Sequence, residues 1–380
     1  MSVTRDQFLL EPDIVFLNHG SFGACPIPVF EEYQRWQLRL ERQPVRMLGR
    51  EIDGLLREAM VPLAAYLHAD ADDCVFVPNA TAGVNIVARS LDLQPGDEVL
   101  TTDHEYGACD YTWEYVCQRA GARYVRRVLP LPLDTAEAFV EAVWAGVTEH
   151  TRVLFISHIT SPTGLVFPIA PLLARARAAG ILTVVDGAHT PGHIPVDLTA
   201  LDPDYYTGNF HKWLCAPKGS AFLYARKDAQ ARLVPSIISW GWPEASFALR
   251  MERQATRDAA SYLATPAALA FEQAHDWDVV RAECHARTLE AAARLREIAG
   301  CAPLAIGDEW LGQMVAVELP LPTSLAQSIK SRLYDEHHIE IPIVTWSNRM
   351  LIRASFQGYN TQADLDALCV ALAETLRLAE

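Results

Sequence analysis

Ile181-Leu182-Thr183-Val184-Val185-Asp186-Gly187-Ala188-His189 is the stretch on which the reading of this chain turns. Its first five residues are rich in β-branched side chains, show no alternating polar face, and stop at an acid. A strand of that kind is dry on both sides, as in a mostly parallel sheet covered by helices on both faces. Working outward, similar runs stand at Cys74 to Val77, Val99 to Thr102, Tyr124 to Leu129, Val153 to Ser157 and Ala221 to Tyr224. Between them, Gly83 to Ser90, Tyr111 to Ala120, Ala136 to Ala145 and Ala170 to Ala179 have helical character. The alternation predicts an α/β fold. Ligands of such sheets bind beyond the carboxyl ends of the strands, and Asn79, His104, Ser161 and Asp186 each fall just after a strand end.

After about Trp240 the pattern changes. Helices are expected over Ser261 to Ala274 and Val279 to Ile298. Strands follow at Met314 to Leu319 and Ile339 to Val344 with a helix between them, then a strand at Met350 to Ser355 and a helix from Gln362. This reads as an N-terminal segment and large domain over 1–250 and a smaller C-terminal α/β domain over 251–380. Near the start, the polar, proline-containing stretch Arg39 to Gly49 is expected to be a loop after a first helix.

The chain has 380 residues, half of them hydrophobic, and a net charge of −15. That balance, with no dense Lys/Arg run, argues against a nucleic-acid or anionic-membrane surface. Met1 to Glu11 lacks an apolar signal region, and no apolar run approaches the roughly 18 residues of a membrane span. A cytoplasmic protein is expected. The eight cysteines show no metal-ligand or redox spacing, and the pair His337-His338 shows no two-turn ligand pattern on a helix. No metal is expected.

Asp186 is joined downstream by Asn209-Phe210-His211-Lys212-Trp213. An acid closing a buried strand, a lysine beside a histidine, and donors for a phosphate together suggest pyridoxal 5'-phosphate. Lys212 supplies the amine for the aldehyde, and desolvation between Phe210 and Trp213 makes it nucleophilic near neutral pH. Asp186 keeps the pyridine nitrogen protonated, which makes the ring an electron sink. In Asn79-Ala80-Thr81-Ala82-Gly83, a helix start offers amides and the Thr81 hydroxyl to a phosphate; the alternative is an ordinary helix cap. His211 can donate to the same phosphate, with Asn209 assisting. In Asp103-His104-Glu105-Tyr106, His104 or Tyr106 can stack on the ring, and Ser161 or His189 can bond its phenolic oxygen. Arg353, inside an apolar strand, needs a partner: a substrate carboxylate gripped bidentately, or a buried Glu.

Taken together, these segments resemble the class V aminotransferase family, of fold type I and dependent on pyridoxal phosphate. The likeness runs from Phe16-Leu17-Asn18-His19-Gly20-Ser21-Phe22-Gly23 to Arg353-Ala354-Ser355-Phe356-Gln357-Gly358-Tyr359-Asn360. It is strongest to the isopenicillin N epimerase-like branch, through Asp103-His104-Glu105-Tyr106-Gly107, the lysine segment, and Thr256-Arg257-Asp258 followed by Ser261-Tyr262-Leu263. The resemblance implies a mostly parallel seven-stranded sheet. It makes Lys212 the Schiff-base lysine and Asp186 the pyridinium partner. It places His189 and Ser161 near the cofactor oxygen, Thr81, Ala82 and His211 on the phosphate, and His104 on the ring face. Arg353 becomes the carboxylate anchor, with Asn18 and His19 as further substrate contacts. Thr256 matches a residue that reaches the phosphate from a second subunit, which implies a homodimer with shared active sites. Two departures stand out. Ala255 precedes Thr256 where the family often has glycine, and Glu340 to Met350 lacks the cysteine that persulfide-forming desulfurases carry there.

The expected reaction lies at the α-carbon of a small amino-acid substrate. Proton return on the opposite face gives an epimerase and needs a second acid, with His19, His104 and Tyr106 as candidates. Loss of a β-substituent gives a C–S lyase; proton return to the cofactor gives an aminotransferase. The order of expectation is epimerase, lyase, aminotransferase. A family member that binds cofactor without turnover stays open, as does, more remotely, a metal hydrolase.

Overall fold

Seven strands build the main sheet, in the order Cys74–Val77, Ala221–Ala225, Tyr205–Asn209, Leu182–Asp186, Thr151–Ser157, Glu98–Thr102 and Arg123–Arg127. The computed structural model describes residues 3–379. All the strands run parallel except Ala221–Ala225, which is antiparallel to both its neighbours. The inner strands are buried almost throughout, as their unbroken apolar runs require. The edge strand Arg123–Arg127 is half exposed, and its arginines discourage further pairing.

Six of the seven strands are those named from the sequence. The seventh, Tyr205–Asn209, reads Tyr-Tyr-Thr-Gly-Asn, with a glycine and two polar residues that hide it. Gly208 is needed there, because a Cβ would come 2.7 Å from the Phe222 ring of the adjacent strand. Thr207 satisfies its hydroxyl on the Phe222 carbonyl (2.7 Å).

The C-terminal part carries a three-stranded antiparallel sheet, Ile343–Trp346, Arg349–Ser355 and Met314–Leu319. Ser347 and Asn348 turn the hairpin with φ of 47° and 62°, the left-handed pair that two-residue hairpins favour. Two expectations are corrected. The strand expected over Ile339 to Val344 is two strands: Ile339–Glu340 pairs in parallel with Val15–Phe16, and Ile343–Trp346 joins the hairpin. Pro342, which has no N–H to give, sits at the break, and its carbonyl accepts from Arg353 N (3.1 Å). The Arg39–Gly49 stretch is not a loop. Helix Ile27–Arg42 ends at Gln43, and Pro44 starts a new helical turn at the position where a missing N–H costs least. A wide turn over Met47–Glu51 then leads into helix Ile52–Tyr66.

We propose the division near residue 250 as a change of sheet rather than a clean cut. Helices Ala260–Leu263 and Thr265–Ala274 pack on Ile27–Arg42 and Ile52–Tyr66, and the first strand belongs to a C-terminal partner. Among the described residues, no helix is long and apolar enough to cross a membrane.

Candidate active site

The carboxyl edge of the main sheet opens into two adjoining cavities. The inner one, about 490 Å³, is walled by residues at or just beyond the ends of four parallel strands: Asn79, Ser161, Asp186 and Lys212 among them. The outer one, about 740 Å³, lies toward the hairpin of the small sheet, and the two share Ser21, Phe22, Tyr106, Ser161 and Lys212. Lys212 therefore stands where the chambers meet.

Asp186 is the last residue of its strand and is 4% exposed. It accepts from Ala188 N (2.9 Å) and from the Cys109 thiol (3.5 Å). Burial raises its pKa, partly countered by the Ala188 amide and by Lys212. Lys212 follows the strand Tyr205–Asn209. Burial and the neighbouring Arg353 lower its pKa from 10.5 to about 8, so a neutral amine is accessible near physiological pH. Its Nζ lies 3.3 Å from His189 Nε2. The backbone here is clamped from behind. Gly23 passes so close, with φ of 71°, that a Cβ would stand 2.2 Å from the His211 carbonyl.

At the opposite end of the inner cavity, helix Ala80–Ser90 begins with Asn79 as its cap. Thr81, Asn209 and His211 line the wall. His211 bonds the Ser220 carbonyl through Nδ1 (2.9 Å), and burial lowers its pKa to about 4. A carbonyl only accepts, so Nδ1 carries the ring proton and Nε2 is left bare. Ala82, expected on the phosphate, gives its amide to Asn79 Oδ1 (2.8 Å) and does not line the cavity. The cap and the anion site thus divide the helix start between them.

Arg353 projects from the strand Arg349–Ser355 and is 4% exposed. Its guanidinium bonds the Ser161 carbonyl, the Ser161 hydroxyl (3.2 Å) and the Ser21 hydroxyl (3.3 Å). Among the described residues no carboxylate pairs with it, and its buried Nε has no partner. Burial lowers its pKa to about 10. Asn18 reaches the cavity only through others: it bonds Glu340 (2.8 Å) and accepts from Ser21 (2.5 Å).

Besides Ala82 and Asn18, three expected residues stand off the two chambers. His104 is wholly buried behind the wall, with Nδ1 on Thr163 (2.9 Å) and its ring between Trp346 and Phe167. Tyr106, its alternative, is the one on the wall. His19 bonds the Lys212 carbonyl (2.9 Å) and the Tyr359 hydroxyl (2.8 Å), and burial lowers its pKa to about 3. It braces the lysine from behind. Thr256 lines a separate cavity of about 540 Å³ with Trp240 and Arg257. Ala255 before it has a φ of 72°, the conformation in which glycine carries no steric cost. The sequence reading gave no role to Ser21, Cys109 or Trp346, and it gave Trp213 only that of an apolar neighbour of Lys212. Each is an ordinary side chain whose relevance depends on a fold contact spanning tens to hundreds of residues.

The donor set fits pyridoxal phosphate. One buried cation, Arg353, stands beside the buried amine of Lys212, and among the described residues no carboxylate pairs with the guanidinium. Uncompensated buried charge is costly, so such a cavity favours an anionic ligand. Lys212 would take the aldehyde, Asp186 the pyridine nitrogen, and Thr81 and Asn209 the phosphate; His211, expected there too, lines the same wall with Nε2 bare and would need a second proton to donate to it.

Comparison with known proteins agrees with this geometry. The family model for class-V aminotransferases matches residues 28–368. The chain is 36% identical to an isopenicillin N epimerase of Amycolatopsis lactamdurans, over 97% of each chain. It is 29% identical to a probable chloroplastic L-cysteine desulfhydrase of Arabidopsis thaliana, over 94% of this chain and 82% of that protein. Among solved structures, a C-DES mutant with glycine covalently linked to its PLP cofactor superposes with a TM-score of 0.85. That pair is 24% identical and covers 98% of this chain and 100% of the other. The fold is type I of the pyridoxal-phosphate enzymes, and the chain belongs to the class-V aminotransferase family.

Proposed function

We propose that this enzyme inverts the α-carbon of an amino acid, in the manner of an isopenicillin N epimerase. The observation that carries the reading is the placement of Lys212. Its buried amine stands at the junction of a chamber floored by Asp186 and a chamber walled by Arg353. The similarity to isopenicillin N epimerases over nearly the whole chain supports it.

The cofactor is pyridoxal 5'-phosphate; when bound, it supplies an electron sink for the negative charge that develops at the substrate α-carbon. Asp186 would hold the pyridine nitrogen protonated, with a carboxylate that is already desolvated. Arg353 holds the substrate carboxylate, and its bonds to Ser161 and Ser21 fix the guanidinium plane. Lys212, the residue that would hold the cofactor's aldehyde carbon, would also serve as the base for the substrate α-proton. Inversion needs a second acid. Of the three candidates, His19 and His104 are turned into the protein, while Tyr106 lines both chambers. Tyr106 is therefore assigned that proton. Thr256 serves the phosphate of a partner subunit in a homodimer, and its separation from the Lys212 chambers within one chain agrees with that role.

A second reading, a β-eliminating C–S lyase, draws on the desulfhydrase relatives. One assay separates the two. L-Amino acids, sulfur-containing amino acids and isopenicillin N are incubated in deuterated water, with α-deuterium, thiol and keto acid followed together. Deuterium entry with inversion and no thiol supports the epimerase. Thiol with keto acid establishes the lyase, and keto acid alone establishes transamination.

A further inference from the structure

Next to Lys212, a chain of hydrogen bonds fixes the position of one proton. Trp213 Nε1 donates to His189 Nδ1 (3.2 Å), and His189 Nε2 faces Lys212 Nζ (3.3 Å). An indole N–H can only donate, so His189 Nδ1 must be bare. His189 is 2% exposed, and burial together with Lys212 and Arg353 holds its pKa well below the usual value. The ring is neutral, has a single proton, and carries it on Nε2. That proton points at Nζ. An ammonium there would set donor against donor; a neutral amine accepts the bond through its lone pair.

The arrangement is pinned from a second side. His193 Nδ1 lies 3.0 Å from the His189 carbonyl, which can only accept, so His193 carries its proton on Nδ1. Its Nε2 is then free to accept from Gln313 N (2.5 Å), immediately before the strand Met314–Leu319. The His193 ring packs on Trp213 at 4.0 Å. The two histidines hold opposite tautomers, and each is fixed by a partner whose role is unambiguous. The other charged or titratable groups that bear on Lys212 are Arg353, Asp186 and Cys109; on His189 they are Lys212, Arg353, His193 and His19.

We propose that Trp213 is a positioning residue: its indole N–H fixes the His189 proton on Nε2, and His189 in turn presents Lys212 as a neutral, accepting amine ready for a carbonyl. The inference rests on Lys212 as the cofactor-capturing amine and goes beyond it by assigning the group that prepares that amine.

The test uses the full-length, cofactor-free protein labelled with ¹⁵N-histidine. Two-bond ¹H–¹⁵N spectra report the His189 tautomer, and visible absorbance on adding pyridoxal phosphate reports imine formation. The expected result is Nε2–H in the wild type. Trp213→Phe keeps the ring packing but removes the donor. It is expected to shift His189 toward Nδ1–H and slow imine formation about 3- to 10-fold near pH 7, the worth of one hydrogen bond. In a His189→Leu background, Trp213→Phe is expected to add nothing further. A purely structural tryptophan would slow capture equally in both backgrounds, and that result overturns the proposal. So does a wild-type His189 protonated on Nδ1, a measurement that needs no variant to fold. A wild type that shows Nε2–H but gains no visible absorbance supports the proton placement and refutes the cofactor role of Lys212, so the two failures are told apart.

Discussion

Arg353 donates to both the carbonyl and the hydroxyl of Ser161, a residue 192 positions earlier in the chain. A strand of the C-terminal sheet and a loop at the carboxyl edge of the main sheet thereby form one wall. The guanidinium is held at two points and buried without a carboxylate, and it retains bonding capacity for a ligand.

Arg353→Ala is expected to weaken amino-acid binding by about 30- to 5000-fold, the usual cost of about 2–5 kcal/mol for truncating a buried hydrogen-bonded charge. Cofactor retention should hardly change, because Arg353 lines the outer chamber and not the inner one. Substrate titration followed by absorbance, beside a cofactor assay of the purified variant, checks both halves. Equal loss of both would count against the assignment.

Lys212→Ala should abolish the visible imine band and leave the far-ultraviolet circular dichroism intact. Turnover should fall by at least about 10²- to 10⁴-fold, the range for losing a positioned acid–base group. An unchanged spectrum would place the capturing amine elsewhere.

The rate of imine formation in cofactor-free protein should depend on pH through Lys212, whose pKa is lowered to about 8. The neutral amine is the nucleophile. The rate should therefore level off above that value and fall about tenfold per unit below it. Stopped-flow absorbance from about pH 6 to about pH 10 measures this directly. A midpoint near the 10.5 of an ordinary lysine would show that burial does not act as described.

Tyr106→Phe removes the hydroxyl assigned as the second acid while keeping the ring on the wall. Inversion should slow by about 10²- to 10⁴-fold, while α-proton exchange with retention continues. Chiral analysis beside deuterium incorporation separates the two. Equal slowing of exchange and inversion would reassign Tyr106 to binding.

Glu105 offers a test of the buried scaffold. It accepts from Thr102 Oγ1 (2.7 Å), Ser157 N (2.9 Å) and Ser157 Oγ (2.6 Å), and burial raises its pKa from 4.5 to about 8. Its folded-state pKa lies above the unfolded one, so the folded protein binds the extra proton between those values. Stability from this group is lost as pH rises through that window, by at most about 1.4 kcal/mol per unit. Denaturant titrations at several pH values should give a shallower decline in Glu105→Gln than in wild type. Parallel curves would remove Glu105 as the source.

Much of this was legible in the sequence because the informative residues sit beside local signals. Asp186 closes an unbroken apolar run, Lys212 stands between aromatics, and Asn79 precedes a helix start. The strand Tyr205–Asn209 was not legible, because its burial is set by neighbours and not by its own Tyr-Tyr-Thr-Gly-Asn pattern. The same limit applies inside the site. His104 and Tyr106 are two residues apart, and sequence offered either for the ring face. Only the packing of Trp346 and Phe167 around His104 shows which one is turned away. Ser21 and Trp213 acquire meaning solely from Arg353 and His189, whose proximity no local pattern encodes.

The pairing of Val15–Phe16 with Ile339–Glu340 has a consequence for biosynthesis. The strand Val15–Phe16 is made long before its mate. Until Ile339–Glu340 has been made, the strand that leads into the stretch behind Lys212 has no strand to pair with. Final assembly of this pocket is thus a post-translational event, and nascent chains halted before residue 339 should emerge without a finished vitamin B6 site.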